Sequence, residues 1–318
     1  MVARCSSPGG IAVIAGRLVA RRVRPAVLAC VVLPAAVSLY TAVAFAQAGP
    51  AGAPRGTLFI VGGGTQPPAL VEEFVQRAGG RGRAKIVVFA QASASGERSG
   101  EAKARDLQAL GAEARALWID RRQADLDSVV RLLDGVTGIW FGGGDQNRLT
   151  AVLRGTKVEQ AIRARYLHGA VVGGTSAGAA VISTPMITGE ELGARRDTTE
   201  AWTRVARGSV QVDSGFALLT TAVVDQHFLR RKRHNRLLSL VLADAPYLGV
   251  GIDEGTALIV EPDGLWRIAG ASAALVVDAR DAQRTDASAP VLGAAGVRLH
   301  LLPAGATFDP RTGRVTLR

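Results

Sequence analysis

Ser176 is the residue around which chemistry can be built. It lies in Ala170–Ala180, AVVGGTSAGAA, as the centre of Gly174-x-Ser176-x-Gly178. That spacing is a nucleophile elbow, a tight strand-to-helix turn that pushes one serine into an exposed, strained position. Glycine is required on both sides because a Cβ there would clash with the folded-back chain. An ordinary glycine-rich turn shares this composition. The β-like run Ala170-Val171-Val172 before it and Ala179-Ala180-Val181-Ile182 after it favour the elbow. A serine nucleophile needs a base to take its proton, and the base needs an acid to orient it. The chain has 4 histidines. His168 is too near the elbow in sequence to reach across to it and reads as structural. His234, set among basic residues, reads as solvated, and His300 sits in a terminal strand-like run, Val297–Leu302. His227 directly follows Ala222-Val223-Val224, at the end of a strand, where a base belongs. Asp253 and Glu254 follow another such run, Leu248–Ile252. Ser176–Asp253–His300 has the chain order of an α/β-hydrolase; Ser176–His227–Glu254 does not, and only strand-end placement favours it.

The elements that must hold these residues alternate along the chain. Strand-like runs are Leu58–Val61, Lys85–Ala90, Glu113–Ile119, Thr137–Phe141, Leu218–Val224, Tyr247–Ile252 and Ala257–Glu261. Helical spacing marks Ala69–Ala78, Gly100–Leu110, Asp125–Leu133, Lys157–His168 and Arg236–Ala243. Strands alternating with helices predict an α/β fold, a parallel sheet wrapped on both faces. Ligands on such sheets sit beyond the carboxyl ends of the strands. Gly62–Gly64, Gly142–Gly144 and Gly173–Gly174 are expected as turns on that rim. Gly189–Gly208 is polar and charged and reads as a solvated insertion, or as an active-site lid. Val291–Arg318 reads as short strands and turns closing the domain.

Of the 318 residues, 48% are hydrophobic, enough for one large α/β domain. The first 46 read separately, as a secretory signal peptide: a leader with Arg4, Arg17, Arg21, Arg22 and Arg24, an uncharged apolar run Ala26–Ala44, then Ala44-Phe45-Ala46. A retained anchor is the competing reading, against which Pro34 and the small-residue cleavage site argue. Residues 47–56 form a flexible connection and 57–318 the catalytic domain. Export predicts a periplasmic or extracellular protein, free of the membrane once the leader is cut. Both cysteines, Cys5 and Cys30, fall in the leader, which leaves no disulfide and no thiol nucleophile. Removing the leader arginines from the formal +11 leaves about +6, a mild excess. The basic residues form one short run without interleaved aromatics, which argues against nucleic acid as a partner. No His-x-x-x-His or cysteine cluster is present, so neither a metal nor an organic cofactor is expected.

Four segments together resemble the cyanophycinase family: GGTSAGAAV from Gly173, FGGGDQNRL (Phe141–Leu149), DQHFLRRKRHNRLL (Asp225–Leu238) and GIDEGTAL (Gly251–Leu258). Each is weak alone; the set, in the family's order, is specific and spans Thr57 to about Asp278. The resemblance implies a serine peptidase on a flavodoxin-like, class I glutamine-amidotransferase-like sheet. It makes Ser176 the nucleophile, His227 the base and Glu254 the orienting acid, with the backbone N–H groups of Gly144 and Ala177 as oxyanion hole. It places Gln146, Asp225 and Gln226 in the substrate pocket. Arg231, Arg233 and Arg236 fall on the family's R-x-R-x-x-R pattern. On a regular helix Arg233 and Arg236 share a face, so all three converge only if Arg231 lies in a preceding turn. Arginines of this kind fork onto carboxylates. The substrate implied is cyanophycin, a polyaspartate whose β-carboxyls carry arginine in isopeptide linkage, cut exolytically to β-Asp-Arg. A homodimer is compatible with the resemblance.

Two features depart from the family pattern. The stretch between Ser176 and His227 is longer than in compact members, and the first glycine turn, GGGTQPP, lacks an acidic residue soon after the glycines. The alternatives are an aspartyl dipeptidase on the same fold and a non-catalytic protein that binds an acidic ligand. The arginine trio argues against the first. The intact Ser, His and Glu set argues against the second.

Overall fold

A computed structural model of the chain describes residues 53–191, 204–244 and 247–317. The expected leader and the middle of the expected lid, 192–203, lie outside the described residues. The fold is α/β, as the alternation predicts. Its parallel block joins β1 (Leu58–Val61), β2 (Lys85–Phe89), β3 (Glu113–Ala116), β4 (Gly138–Phe141) and β5 (Val171–Thr175) in the order β1-β5-β4-β2-β3. Strands β1 and β4, and β2 after Lys85, are apolar because both faces are covered, whereas the edge strand β3, EARA, carries exposed Glu113 and Arg115. Strict alternation in β1 decides the partners. Phe59 and Val61 pack under α1 (Pro68–Arg77) and α2 (Gly96–Ala109). Leu58 and Ile60 face the core shared with α4 (Gln146–Leu153), α5 (Lys157–Leu167) and α6 (Ala177–Ala180). The stretch expected as one helix over Asp125–Leu133 is broken into single turns, of which only α3 (Asp127–Val130) is α-helical. Helix α4 had no clear signal in QNRLTAVL, yet Asp145 caps it by accepting the Asn147 N–H at 2.9 Å. Arg55 and Gly56, at the end of the stretch expected as a connection, donate to the Leu167 and Tyr166 carbonyls of α5.

The later strands go beyond the parallel plan. After the hairpin of β6 (Met186–Glu191) and β7 (Val210–Asp213), a second sheet forms. It pairs β8 (Ala222–Gln226) in parallel with β9 (Leu248–Ile252). Strand β10 (Thr256–Val260) then returns to the first sheet, antiparallel to β1, followed by β11 (Trp266–Gly270). Strand β12 (Ala273–Asp278) goes back to β9 in the second sheet. A short pair, β13 (Gln283–Arg284) with β14 (Ala294–Ala295), precedes β15 (Arg298–Pro303) on β12, and β16 (Thr307–Asp309) and β17 (Arg314–Thr316) finish the first sheet at nine strands. Helix α7 (His234–Asp244) packs Leu237 and Val241 against Val223 and Val277 of the second sheet, whose other face joins the main core.

This arrangement brings three strand ends together. Ser176 leaves the carboxyl end of β5, His227 that of β8, and Glu254 follows β9 one residue after Asp253. Since Gln226 lies opposite Ile252, parallel pairing puts the base and the acid at the same end of the second sheet. The loop after β1 ties the two sheets: the His227 N–H donates to Gly62 O at 2.6 Å, and the Gly255 N–H to Gly63 O at 2.9 Å.

Candidate active site

The elbow is built as its glycines require. Strand β5 runs through Gly173 and Gly174 to Thr175, so this pair lies inside the strand and the turn begins at Ser176. A Cβ on Gly174 would stand 2.4 Å from Gly178 O, and one on Gly178 would stand 2.1 Å from Phe141 O. Neither position admits another residue without moving backbone. Between them Ser176 has φ 55° and ψ −113°, a region that side chains other than glycine rarely occupy.

Ser176 Oγ lies 2.9 Å from His227 Nε2, and His227 Nδ1 lies 2.6 Å from Glu254 Oε1. The tautomer follows from the partners. A carboxylate only accepts, so Nδ1 carries the proton and donates, which leaves the Nε2 lone pair facing the serine hydroxyl. His227 is itself at φ 50° and is buried. The glycine run after β1 makes room for both partners: a Cβ on Gly63 would be 2.4 Å from His227 Cε1, and one on Gly64 would be 2.9 Å from Glu254 Oε2. The sequence placed this run on the rim. That the run exists to admit an imidazole and a carboxylate was not readable from it.

The other candidates are occupied elsewhere. Asp253 accepts the Arg230 N–H and the Ser272 hydroxyl, both at 2.9 Å, and so fixes the turn leading out of His227. His300 stands on β15 against Phe308, with ring centroids 5.2 Å apart. His168 caps α5 through Ala164 O. His234, expected in solvent, packs edge-on against Phe228. The order Ser176–Asp253–His300 therefore has no geometric counterpart.

A cavity of about 510 Å³ opens over Ser176, lined by Gly144, Gln146, Gln226, Arg231 and Arg233 and, unforeseen from sequence, by Asp145, Asn147, Thr188 and Gly189. Gln146 is buried and donates to Ile187 O at 2.8 Å, pinning β6 beside the serine. Arg231 and Arg233 both lie in the turn before α7, and the Arg231 side chain makes no hydrogen bond or ion pair among the described residues. Arg233 Nη1 donates to Gln226 O at 2.7 Å and to Gln226 Oε1 at 2.9 Å. Burial, with Arg236 and then Arg231 nearby, brings its guanidinium down to about 10 against the pull of Asp225, so it stays charged at neutral pH.

Arg236 and Asp225 depart from expectation. Both are fully buried, and Arg236 forks onto Asp225 through Nε and Nη2, with Nε to Oδ2 at 2.9 Å. Neither lines the cavity. The carboxylate that Arg236 meets is one of the chain's own, and the pair forms the floor under Arg233, whose Nη1 is 3.8 Å from Asp225 Oδ1. Removing one member of a buried ion pair strands the other charge. Arg236→Ala is expected to lose about 3–5 kcal/mol of stability, read as a fall in the denaturation midpoint. A loss below about 1 kcal/mol would show that water reaches Asp225.

The His227 imidazole titrates below its ordinary 6.5. Burial is the largest cause; the charges of Arg231 and Arg233 add to it, and the hydrogen bond and charge of Glu254 oppose it. The neutral, proton-accepting form thus persists to lower pH than in a free histidine. Taking away the Arg231 charge removes one influence against the imidazolium and raises the pKa. In Arg231→Gln the acid limb of serine acylation should move to higher pH. The rate of inactivation by a small neutral sulfonyl fluoride, measured against pH, reads this without a substrate carboxylate. An unmoved limb would mean that the Arg231 charge is screened from the imidazole.

Residues 58–268 match the family model described as Peptidase family S51. The chain is 35% identical over 272 residues to a cyanophycinase of Synechococcus elongatus, which covers 82% of this chain and 81% of that protein. It is 30% identical over 268 residues to a cyanophycinase of Geminocystis herdmanii, covering 81% and 95%. Among solved structures, the crystal structure of a peptidase from an acI-B1 Actinobacterium aligns with a TM-score of 0.55 and 24% identity over 79% of this chain and 98% of that one, a likeness of fold. The protein belongs to peptidase family S51 and is a serine-type peptidase.

Proposed function

We propose that the protein hydrolyses cyanophycin as an exported exopeptidase and releases β-Asp-Arg dipeptides, with Ser176, His227 and Glu254 as its catalytic residues. The observation that carries this reading is the pairing, over one cavity, of the hydrogen-bonded Ser176–His227–Glu254 chain with the guanidinium groups of Arg231 and Arg233. A serine relay alone would fit many acyl substrates. Two guanidinium groups beside it favour a substrate rich in carboxylates, and each β-linked arginine of cyanophycin presents its own α-carboxylate. The names borne by the relatives point the same way.

In this reading His227 Nε2 takes the Ser176 proton as Oγ attacks a main-chain carbonyl carbon of the polymer. The negative charge passes to the carbonyl oxygen, held by the N–H groups of Gly144 and Ala177, each donor being worth about 2.7–4 kcal/mol in the transition state. His227 then gives the proton to the leaving amine, the C–N bond breaks, and an acyl-serine remains. Water, deprotonated by the same imidazole, attacks that ester and restores the serine. Export rests on the basic leader, the apolar run and Ala44-Phe45-Ala46. Gln226 contributes by orienting Arg233 and Gln146 by holding β6.

The test is to incubate the mature chain with insoluble cyanophycin, with α-aspartyl dipeptides and with a plain peptide, and to identify the products by mass. Soluble β-Asp-Arg from the first alone is the expected result. Cleavage of the α-aspartyl dipeptides alone would assign the protein to aspartyl dipeptidase activity instead.

A further inference from the structure

A second cavity, about 390 Å³, continues from the first: Asn147 and Thr188 line both, and Arg121, Arg154, Gln211 and Asp213 complete the farther one. Its floor is α4 and its wall is the β6–β7 hairpin. The hairpin is fixed to α4 by Gln146 donating to Ile187 O at 2.8 Å, and its two strands are joined by the Thr188 hydroxyl donating to Gln211 O at 3.1 Å. The two cavities thus form one groove that leads away from Ser176.

The charges in the farther part are opposite and unspent on each other. Arg121 is aimed by donating Nη1 to Ala151 O at 3.0 Å and to Arg154 O at 2.9 Å, the open carbonyls at the end of α4. The Arg154 guanidinium is exposed and meets no carboxylate among the described residues. Asp213 is exposed too; its carboxylate accepts the Ser214 N–H and meets no cation among the described residues.

We infer that this groove is a distal subsite for the polymer, in which Arg154, with Arg121, takes a carboxylate and Asp213 takes a guanidinium of a repeat unit remote from the bond being cut. The inference rests on the cyanophycin reading. Every repeat unit of that polymer ends in a carboxylate and a guanidinium on one side chain, so one unit can satisfy both signs of charge. Length agrees as well. Helix α4 has 8 residues and so spans about 12 Å from Gln146 to Arg154. An extended backbone advances about 3.5 Å per residue, which places the subsite three or four units along the chain.

The experiment compares kcat/KM on cyanophycin fragments of two and five repeats. In the unaltered protein the longer fragment is favoured, and the preference shrinks as salt rises, because exposed charge pairs are screened. Arg154→Glu and Asp213→Arg, both at exposed positions, are each expected to lower the five-to-two ratio about fivefold, the scale of one exposed ion pair. Equal turnover of both lengths by the unaltered protein overturns the subsite, as does a fall in the variants that both fragments share. If neither fragment nor the polymer is cut, the cyanophycin reading fails and the subsite with it. If the polymer is cut and the ratio ignores both charges, the subsite alone fails.

Discussion

Ser176→Ala is expected to lower kcat/KM on the accepted substrate by about 10⁶, the scale on which loss of a triad nucleophile falls. Three features of the site make the effect this large and this local. The hydroxyl stands 2.9 Å from His227 Nε2, and in the proposed mechanism every later bond change passes through the ester it forms. Ser176 sits at φ 55°, and alanine at that φ carries the same Cβ strain as serine, so the elbow has no new reason to rearrange. The cavity walls, Arg231 and Arg233 among them, are untouched, so binding of polymer should persist while turnover disappears. Cosedimentation with insoluble polymer measures the first and mass-resolved product release the second. Because the triad acts as a unit, adding His227→Ala to Ser176→Ala should cost almost nothing more. Residual activity above about 1% of the starting value, on the scale just given, would mean that another group is the nucleophile.

The elbow was legible because its chemistry is local. Gly174 and Gly178 are each forced by contacts made within a few residues or with the adjacent strand, and the apolar runs of β1, β2 and β4 announce strands buried on both faces. His227 was legible for the same reason, as a histidine directly after a strand. What the residues by themselves left open, without the resemblance, depends on distant partners. Nothing in Asp253-Glu254 says which carboxylate turns toward His227. That is decided by the Arg230 N–H and the Ser272 hydroxyl, which occupy Asp253, and by Gly64, which leaves space for Glu254. Arg236 matched a substrate-binding pattern in sequence, and its use by Asp225 is visible only once β8 and α7 are packed together. The second sheet was hidden because the chain passes between sheets at Glu254 and again at Ser272, and a strand's apolar pattern does not say which sheet it joins. Of the stretch read as a polar insertion, Gly189–Gly208, only the ends are described, and they lead out of β6 and into β7.

Glu254→Gln is the sharper test of the relay, since it changes one atom and keeps the shape. The expected loss in kcat is about 10³, below the 10⁴ seen when a fully buried orienting acid is neutralised. The discount follows from exposure: the Glu254 side chain is 34% exposed, so water can supply part of what the carboxylate gives. The loss itself follows from the tautomer. A carboxamide can turn its N–H₂ toward Nδ1, which moves the imidazole proton to Nε2 and points a donor, not an acceptor, at Ser176. The pH behaviour gives an independent sign. Glu254 holds the His227 pKa up against burial and the two arginines. Without its charge the pKa falls further, and the acid limb of the residual activity should move to lower pH, opposite to the shift expected in Arg231→Gln. Asp253→Asn, one residue away, should leave the limb in place and cost less than tenfold in kcat, the loss of a turn-fixing hydrogen bond of about 1 kcal/mol. If the asparagine at 253 moved the limb and the glutamine at 254 did not, the orienting acid would be Asp253, and the 2.6 Å contact between His227 and Glu254 would have to be a feature of the resting site alone.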